Sequence, residues 1–435
     1  MTTTALRMIT AGAMLASVAV AAAPVLSLQP GPTHQAAARP GTGFVPARLA
    51  RVEHFIQRKV DDTQLPGAVL LLARHGRVAT LRAFGAADLA TGRRMAPDSL
   101  FRIASATKII TAVGLLTLYE EGRFALGDAV GDHLPEFRQL RVRQDDGSAR
   151  PATRRLTIRD LLRHTTGFGY GGDARQRTAY QEAGLMPAGR DDDWSHAFTL
   201  EQWTTRLATV PLTSEPGTRF EYGFGTDIAG ALIERVSGQR LDAFLASRIF
   251  TPLGMRDTGF TIAPDRQGRM TTLHEAGPRR FDVVDGAEHS RFMTPPSAWS
   301  GGGGWDMAGH GGLVTTAMDF FRFLQMLLNR GDLEGVRVLS RHTVELMFTN
   351  QLATLPVAER APGVGFGFGY AMVTDAARYG EVGSPGLMWW AGSTNTRYWI
   401  DPLNETVGLY LTQVLPFPYQ DLMGSVMRLS LQALE

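Results

Sequence analysis

Two reactive side chains stand three residues apart at the start of a long apolar run, and this arrangement constrains the chain more than any other feature. Ser105 and Lys108 directly precede the run 109–118, which predicts a buried helix that begins near the serine. Residues three apart on a helix share a face, so we expect the hydroxyl and the amine to be neighbours. A desolvated amine can take the proton of a serine and make it a nucleophile. An N-cap serine followed by a solvated lysine is the alternative interpretation.

The composition is that of a globular protein. With 435 residues, 44% of them hydrophobic, the chain can bury a large core as one big domain or two coupled domains. The 44 basic and 42 acidic residues give a formal charge of +2 without a basic block, so no nucleic-acid partner is predicted. The absence of cysteine excludes disulfides, thiolate zinc sites and a cysteine nucleophile.

The first 28 residues resemble an export signal. Arg7 precedes an alanine-rich apolar run, and small residues that suit a cleavage site follow it. We predict a signal peptide over 1–28, a flexible leader over 29–45, and a secreted or periplasmic protein. The run 8–28 is also about the ~20 residues that a bilayer requires, so an uncleaved membrane anchor is the alternative.

The rest of the chain alternates between helical and strand patterns. We predict an amphipathic helix from Pro46, a hairpin over 67–84, helices over 157–168, from Thr226 and over 316–329, and a closing helix over 419–434. Short β-rich runs at 364–373, 387–392, 396–400 and 407–412 predict an antiparallel meander.

Several segments between these elements hold candidate functional residues. The segment 169–199 is predicted to be a long surface loop, whose aromatic and acidic residues either line a substrate entrance or face water; they are Tyr170, Tyr180, Asp191, Asp192, Asp193 and Trp194. The glycine-rich loops 300–304 and 309–312 match no phosphate-binding spacing, and His310 between glycines is predicted to be structural.

Ordered motifs along the chain resemble the serine β-lactamase and penicillin-binding-protein superfamily, in particular its class C β-lactamase-like branch, which includes the family VIII carboxylesterases. They are Ser105-Ala-Thr-Lys108, Leu161-Leu-Arg-His-Thr-Thr-Gly167, Pro216-Gly-Thr-Arg-Phe-Glu-Tyr222, Pro252-Leu-Gly-Met255, Gly311-Gly-Leu-Val-Thr-Thr316 and Trp399-Ile-Asp-Pro402. The resemblance implies an α+β fold over 46–435, with an antiparallel sheet flanked by helices. The α/β part would come from about 46–130 and 300–435, and a mostly helical insert from about 131–299.

The resemblance also implies roles for individual residues. Ser105 corresponds to the acylated nucleophile and Lys108 to its proton acceptor, while Tyr222 corresponds to the tyrosine that shares or relays the proton. Either Lys108 or Tyr222 can be the general base in such enzymes. The backbone N–H groups of Ser105 and Ser393 would form the oxyanion hole, and no metal or organic cofactor is implied.

Two departures from the β-lactamase motifs favour an ester substrate. Trp390-Ala391-Gly392 stands where β-lactamases usually have a triad that begins with lysine, and Phe224 stands where the second motif usually ends in asparagine. Both changes remove polar recognition of a β-lactam, so we expect a hydrophobic pocket, which Tyr170 would also line. The resemblance to carboxylesterases predicts a serine hydrolase for small-molecule esters of short to medium acyl chain, with weak β-lactamase activity as an option.

Three other interpretations fit the chain. The enzyme would instead be a β-lactamase or a D-amino-acid peptidase that resembles DD-carboxypeptidases. An interpretation of another class is a non-catalytic protein that binds cell-wall peptides or acts as a scaffold. A membrane partner is expected only if the N-terminal segment is uncleaved, and the sequence makes no prediction of oligomeric state.

Overall fold

The computed structural model of the protein describes residues 41–171, 174–185, 199–276, 281–283, 312–353, 355, 362–415 and 422–435, which belong to one compact unit. Several predictions fall outside the described residues: the export signal, the leader up to residue 40, Asp191 to Asp193, Trp194, His310 and the loops 300–304 and 309–311. Within the described ranges, no helix combines the length and the hydropathy needed to cross a bilayer.

Helices and strands are numbered in chain order. The helices are α1 Pro46–Asp61, α2 Thr107–Glu120, α3 Val130–His133, α4 Ile158–Leu162, α5 Ala174–Glu182, α6 Leu200–Leu207, α7 Gly225–Ser237, α8 Leu241–Leu245, α9 Ala317–Leu328, α10 Arg341–Met347, α11 Ala376–Tyr379 and α12 Leu422–Leu431. The strands are β1 Gly67–Arg74, β2 Arg77–Asp88, β3 Arg93–Arg94, β4 Phe101–Arg102, β5 Arg141–Arg143, β6 Ala149–Pro151, β7 His274–Ala276, β8 Phe281–Val283, β9 Val314–Thr315, β10 Asp332–Leu333, β11 Val336–Arg337, β12 Val364–Phe366, β13 Ala371–Val373, β14 Met388–Ala391, β15 Arg397–Asp401, β16 Thr406–Leu411 and β17 Val414–Leu415.

Strand β1 lies inside the main sheet and is apolar on both faces. Among the described residues, the sheet has eight antiparallel strands in the order β12-β13-β14-β15-β16-β1-β2-β3. Val69 and Leu71 of β1 face one core, and Leu70 faces the other, because successive side chains of a strand point to opposite sides. The pairing of β1 with β16 sets Val69 opposite Leu411. The sheet therefore joins the N-terminal and C-terminal parts of the chain, which confirms the predicted fold class.

Helices cover both faces of this sheet. On one face α1 directs Leu49, Val52 and Ile56 into the core and packs beside α12. On the other face α9 packs against β1 and β16, and α2 packs against α7. Helix α2 is buried along nearly its whole length, so its apolar run supplies the centre of the larger core. The predicted first and closing helices and the buried helix after Ser105 are confirmed.

The predicted loop over 169–199 is wrong for residues 174–182, where the structure has a helix. Helix α5 occupies Ala174–Glu182 and buries Gln176 and Tyr180. The hydroxyl of Tyr180 donates a hydrogen bond of 2.8 Å to the backbone oxygen of Gly169. Tyr180 is thus a core residue that supports the loop beside it, and it neither lines an entrance nor faces water.

Two other predicted elements differ from the structure. The run 364–373 is not one strand but the hairpin of β12 and β13, because its glycines permit a turn, with Gly369 at a φ of +95°. The predicted helix over 157–168 ends at Leu162 as α4, since His164 adopts a φ of +54° that an α-helix excludes.

Candidate active site

Ser105 lies in a tight turn that introduces α2. The turn Ala104–Ala106 is a 3₁₀ helix, so the α-helix begins two residues after the serine rather than at it. Ala104 has a φ of +44°, an uncommon value for a residue with a side chain. The backbone N–H of Ile103 donates to the oxygen of Leu313, and the N–H of Leu313 donates to Thr107 Oγ1 at 2.9 Å. These bonds fix both ends of the turn that presents the half-buried Ser105 side chain.

Lys108 points back to the serine from the first turn of α2. Its side chain is fully buried, and Nζ donates a hydrogen bond to Ser105 Oγ at 3.3 Å. Its Nζ atom lies over two aromatic rings, with centroid distances of 5.1 Å for Tyr222 and 5.4 Å for Tyr170. The structure thus brings Ser105 and Lys108 together, as their spacing predicts, and adds Tyr222 to the cluster, as the family resemblance implies.

Tyr222 is held by contacts on both sides of its loop. The next residue, Gly223, pairs with Gly169 of the loop after α4. A Cβ on Gly223 would lie 1.9 Å from the backbone oxygen of Phe168, so only glycine permits this close approach. Trp390 of β14 lies across the Tyr222 ring, and its indole N–H donates to Tyr222 Oη at 3.2 Å.

The third motif, Trp390-Ala391-Gly392, ends against the turn that carries the serine. A Cβ on Gly392 would lie 2.4 Å from the backbone oxygen of Ile103, so the two segments touch. Thr394 Oγ1 donates to the backbone oxygen of Arg102 at 2.9 Å and fixes the same contact from the next turn. This arrangement brings the exposed Ser393 to the edge of the nucleophile turn.

Tyr170 and Phe224, both predicted to line the pocket, take different positions. The Tyr170 ring meets the Tyr222 ring nearly edge to face at 5.3 Å. Burial, followed by the nearby Asp227 carboxylate, holds the pKa of Tyr170 well above its ordinary value, so its hydroxyl stays protonated. Phe224 is only 2% exposed and packs behind Tyr170, against Tyr180 and Trp203. It therefore supports, from within the core, the aromatic wall formed by the rings of Tyr170, Tyr222 and Trp390.

His164 is the residue of this site that sequence reasoning missed. It is 1% exposed, and its ring lies 4.6 Å from the ring of Tyr222. Burial, and secondly the charge of Lys108, lowers the pKa of His164 to about 3. The imidazole is therefore neutral at ordinary pH. Its place within Leu161-Leu-Arg-His-Thr-Thr-Gly167 was a signal, but a single histidine in a motif does not reveal which loop it contacts.

A serine and a lysine beside strand β14 of a large antiparallel sheet, with helices on both faces of the sheet and a tyrosine loop next to the serine, define the class of serine β-lactamase-like and penicillin-binding-protein-like folds. The chain belongs to the Beta-lactamase family, whose family model matches residues 52–431. This finding confirms the resemblance inferred from the motifs.

Known relatives extend the likeness over most of the chain. Esterase EstB of Burkholderia gladioli is 32% identical over 391 residues, which cover 86% of this chain and 92% of that protein. Monacolin J acid methylbutanoyltransferase of Aspergillus terreus is 30% identical over 68% of this chain and 70% of its own length. Among solved structures, EstCE1, a hydrolase with promiscuous acyltransferase activity, matches with a TM-score of 0.73 and 26% identity, covering 89% of this chain and 98% of that one.

Proposed function

We propose that the protein is a serine hydrolase of the carboxylesterase type, which cleaves esters of short to medium acyl chain through an acyl-enzyme on Ser105. The contact between Lys108 Nζ and Ser105 Oγ at 3.3 Å carries the proposal. Nucleophile and base within hydrogen-bond reach are what covalent catalysis by a hydroxyl requires. The similarity to an esterase along nearly the whole chain supports the same reaction class.

The first half of the reaction acylates the serine. As the amine of Lys108 takes its proton, Ser105 Oγ attacks the carbonyl carbon and forms a tetrahedral oxyanion. The N–H groups of Ser105 and Ser393 bind this oxygen, and one such donor is typically worth about 10²–10³-fold in rate. The bond to the alcohol oxygen then breaks, and that oxygen receives the proton through Tyr222.

The second half regenerates the enzyme. Water gives a proton to the Lys108 and Tyr222 pair and attacks the acyl carbon. The ester bond to Ser105 Oγ breaks, the carboxylic acid leaves, and the proton returns to the serine. Each proton that enters the pair also leaves it, so the residues named above complete the cycle.

The aromatic wall favours an uncharged ester. Trp390 presents an apolar, half-buried ring where β-lactamases place a lysine that binds the substrate carboxylate. The neighbouring rings of Tyr170 and Tyr222 extend this surface. At Trp390 a substrate carboxylate would lose its water without gaining the cation that the usual lysine supplies, which disfavours β-lactams and C-terminal peptides.

The test compares wild type and Ser105→Ala on p-nitrophenyl butyrate and nitrocefin. We expect ester turnover that the substitution abolishes, with little nitrocefin hydrolysis, and a fluorophosphonate probe should label Ser105 in the wild type. Strong nitrocefin turnover would instead identify a β-lactamase. Release of D-alanine from a D-Ala-D-Ala peptide faster than ester turnover would identify a peptidase, and inactivity on all three would favour a binding protein.

Acyl transfer to an alcohol is a second candidate activity. The similarity to the Aspergillus terreus methylbutanoyltransferase favours it. In this variant the acyl-enzyme on Ser105 passes its acyl group to an alcohol, whose hydroxyl proton follows the route described for water. Adding methanol to the p-nitrophenyl butyrate assay should yield methyl butyrate if transfer competes with hydrolysis, and butyrate alone would exclude it.

Two predictions from the sequence complete the proposal. Residues 1–28 direct export as a signal peptide, so the protein works in the periplasm or outside the cell, and an uncleaved anchor is the alternative. The N-terminal sequence of the protein purified from its own host tests this, since an N-terminus beyond residue 22 shows cleavage. The segment 131–299 is proposed as an insert into the α/β part of a single hydrolase domain.

A further inference from the structure

His164 occupies the centre of the tyrosine side of the site without a role in the proton transfers described above. It lies two residues after the end of α4, in the loop that approaches the Tyr222 segment. The residue adopts a φ of +54°, in the left-handed region that residues with side chains rarely occupy. Such a conformation persists only where the surroundings enforce it. Its place beside a reactive tyrosine therefore indicates a role for His164 in the site.

Two hydrogen bonds connect His164 to the residues on either side of Tyr222. The backbone N–H of Glu221 donates to the backbone oxygen of His164 at 2.8 Å. The backbone N–H of Gly223 donates to Nδ1 of the His164 ring at 3.4 Å. One residue therefore fixes the backbone immediately before and immediately after the tyrosine.

The His164 ring also limits the orientation of the phenol. Its centroid lies 4.6 Å from that of Tyr222, and the rings of Phe220 and Phe366 surround it at 6.1 and 5.5 Å. Because Trp390 contacts Tyr222 as well, the phenol is confined between an imidazole and an indole. Rotation of its side chain would require the imidazole or the indole to move.

The protonation state of the imidazole suits this role. Nδ1 accepts the Gly223 N–H, so the ring proton lies on Nε2, and a second proton would destroy the bond. Burial and the charge of Lys108 keep the pKa of His164 at about 3, far below the range in which hydrolases work. A neutral His164 also adds no repulsion to the charged form of Lys108.

We propose that His164 is a positioning residue for Tyr222: it holds residues 221–223 through its backbone oxygen and Nδ1, and its ring sets the phenol over Lys108. This inference rests on the proposed role of Tyr222 in proton transfer. It predicts that replacing the Nδ1 acceptor lowers kcat through Tyr222 alone, whereas ester binding and KM change little.

The experiment compares His164→Asn with His164→Leu, each in the wild type and in a Tyr222→Phe background, on p-nitrophenyl butyrate. Asparagine tolerates the left-handed backbone, and its Oδ1 can replace Nδ1 as the acceptor, whereas leucine fills the space without an acceptor. We expect kcat to fall by roughly 30–100-fold for His164→Leu and by less than about 5-fold for His164→Asn, with KM within about 3-fold in both. In the Tyr222→Phe background, His164→Leu should cost less than about 3-fold.

His274 supplies the matched control, because it is a buried histidine on β7, outside the site. His274→Leu should lower Tm without changing kcat. An equal loss from His164→Leu in both backgrounds would overturn the inference, and so would a folded His164→Asn that is as slow as the leucine variant. If the leucine variant does not fold, the activity of His164→Asn decides alone. Unchanged kcat in Tyr222→Phe itself would refute the proposed function of Tyr222 instead.

Discussion

The indole N–H of Trp390 donates a 3.2 Å hydrogen bond to the phenol oxygen of Tyr222. Trp390 stands where the third motif usually has a lysine, yet it still supplies a hydrogen-bond donor to the reactive tyrosine. A donor at this oxygen stabilises negative charge on it and fixes the direction of the hydroxyl proton. Trp390 thus combines an apolar wall for the substrate with one polar contact for the proton relay.

Trp390→Phe separates these two contributions. Phenylalanine keeps an apolar ring but lacks the N–H, so we expect kcat on p-nitrophenyl butyrate to fall about 10-fold, the equivalent of one hydrogen bond of ~1.4 kcal/mol, with KM nearly unchanged. Steady-state kinetics measure both constants. Trp389→Phe, on the other side of β14, is the control and should leave kcat unaltered. A rise in KM alone would show that Trp390 serves binding only.

Lys108→Met tests the buried amine. Methionine has a similar length without the amine, so we expect kcat/KM to fall by about 10³-fold or more, since general-base catalysis typically contributes 10²–10⁴-fold. Thermal unfolding should show an equal or higher Tm, because an apolar side chain at this buried position avoids the desolvation of an amine. Lys59→Met on α1 is the matched control, and substantial activity in Lys108→Met would contradict the proposed role.

Gly392→Ala should displace the oxyanion-hole segment. Its Cβ would lie 2.4 Å from the backbone oxygen of Ile103, so the turn that contains Ser393 must move away from Ser105. The loss of one donor predicts a fall in kcat of about 10²-fold. Gly127→Ala is the control, because a Cβ there has no neighbour within 4 Å. A crystal structure of the alanine variant would report the displacement directly, and wild-type kcat would argue against this placement of the oxyanion hole.

Asp160 makes the stability of the folded protein depend on pH in the acidic range. Burial by itself raises the pKa of this carboxyl, but hydrogen bonds from Arg154, Thr157 and Arg163 outweigh burial and leave the pKa below its ordinary value. A carboxyl with a lowered pKa stabilises the folded state above its unfolded pKa of about 3.9, and the contribution disappears as pH falls through the folded value. We therefore expect Tm to decrease steeply below about pH 4 in the wild type.

Asp160→Asn supplies the comparison for this pH dependence. The variant should have a lower Tm at pH 7, since it leaves Arg154 and Arg163 without their buried carboxylate, and a flatter Tm profile between pH 3 and 5. Calorimetry or dye-based melting across that range measures both effects. Parallel profiles for the two proteins would show that other carboxylates dominate the acid sensitivity.

The predictable parts of the fold are those that local pattern determines. The run 109–118 predicts a buried helix, and the two β-rich runs joined by a short polar turn predict the hairpin of β1 and β2, because periodicity and turn residues act within a few positions. The hairpin of β12 and β13 escaped prediction because Gly367 and Gly369 interrupt a run whose apolar residues continue on both sides. Helix α5 escaped because its mean composition is polar, and its burial depends on the tertiary contact of Tyr180 with Gly169.

The residues of the site also differ in how far the sequence predicts their positions. Ser105 and Lys108 are three residues apart, so their proximity follows from helix geometry. Tyr222 and Trp390 entered only through resemblance to a family, since no spacing rule relates residues so distant in the chain. The contact of His164 with the Tyr222 loop requires the folded structure, because it depends on a left-handed residue between two loops.

The hydrogen bonds that Thr394 and Gln413 donate to the backbone oxygen of Arg102 limit when the site can form during synthesis. Gln413, 311 residues further along the chain, donates to the backbone oxygen of Arg102 at 2.9 Å, three residues before Ser105. Strands β14 to β16 must therefore leave the ribosome before the turn at Ser105 acquires its final shape, and such long-range pairings form late in folding. We therefore expect a nascent or C-terminally truncated chain to contain the serine and the lysine but to be inactive. Activity would then appear only when synthesis of the polypeptide is almost complete.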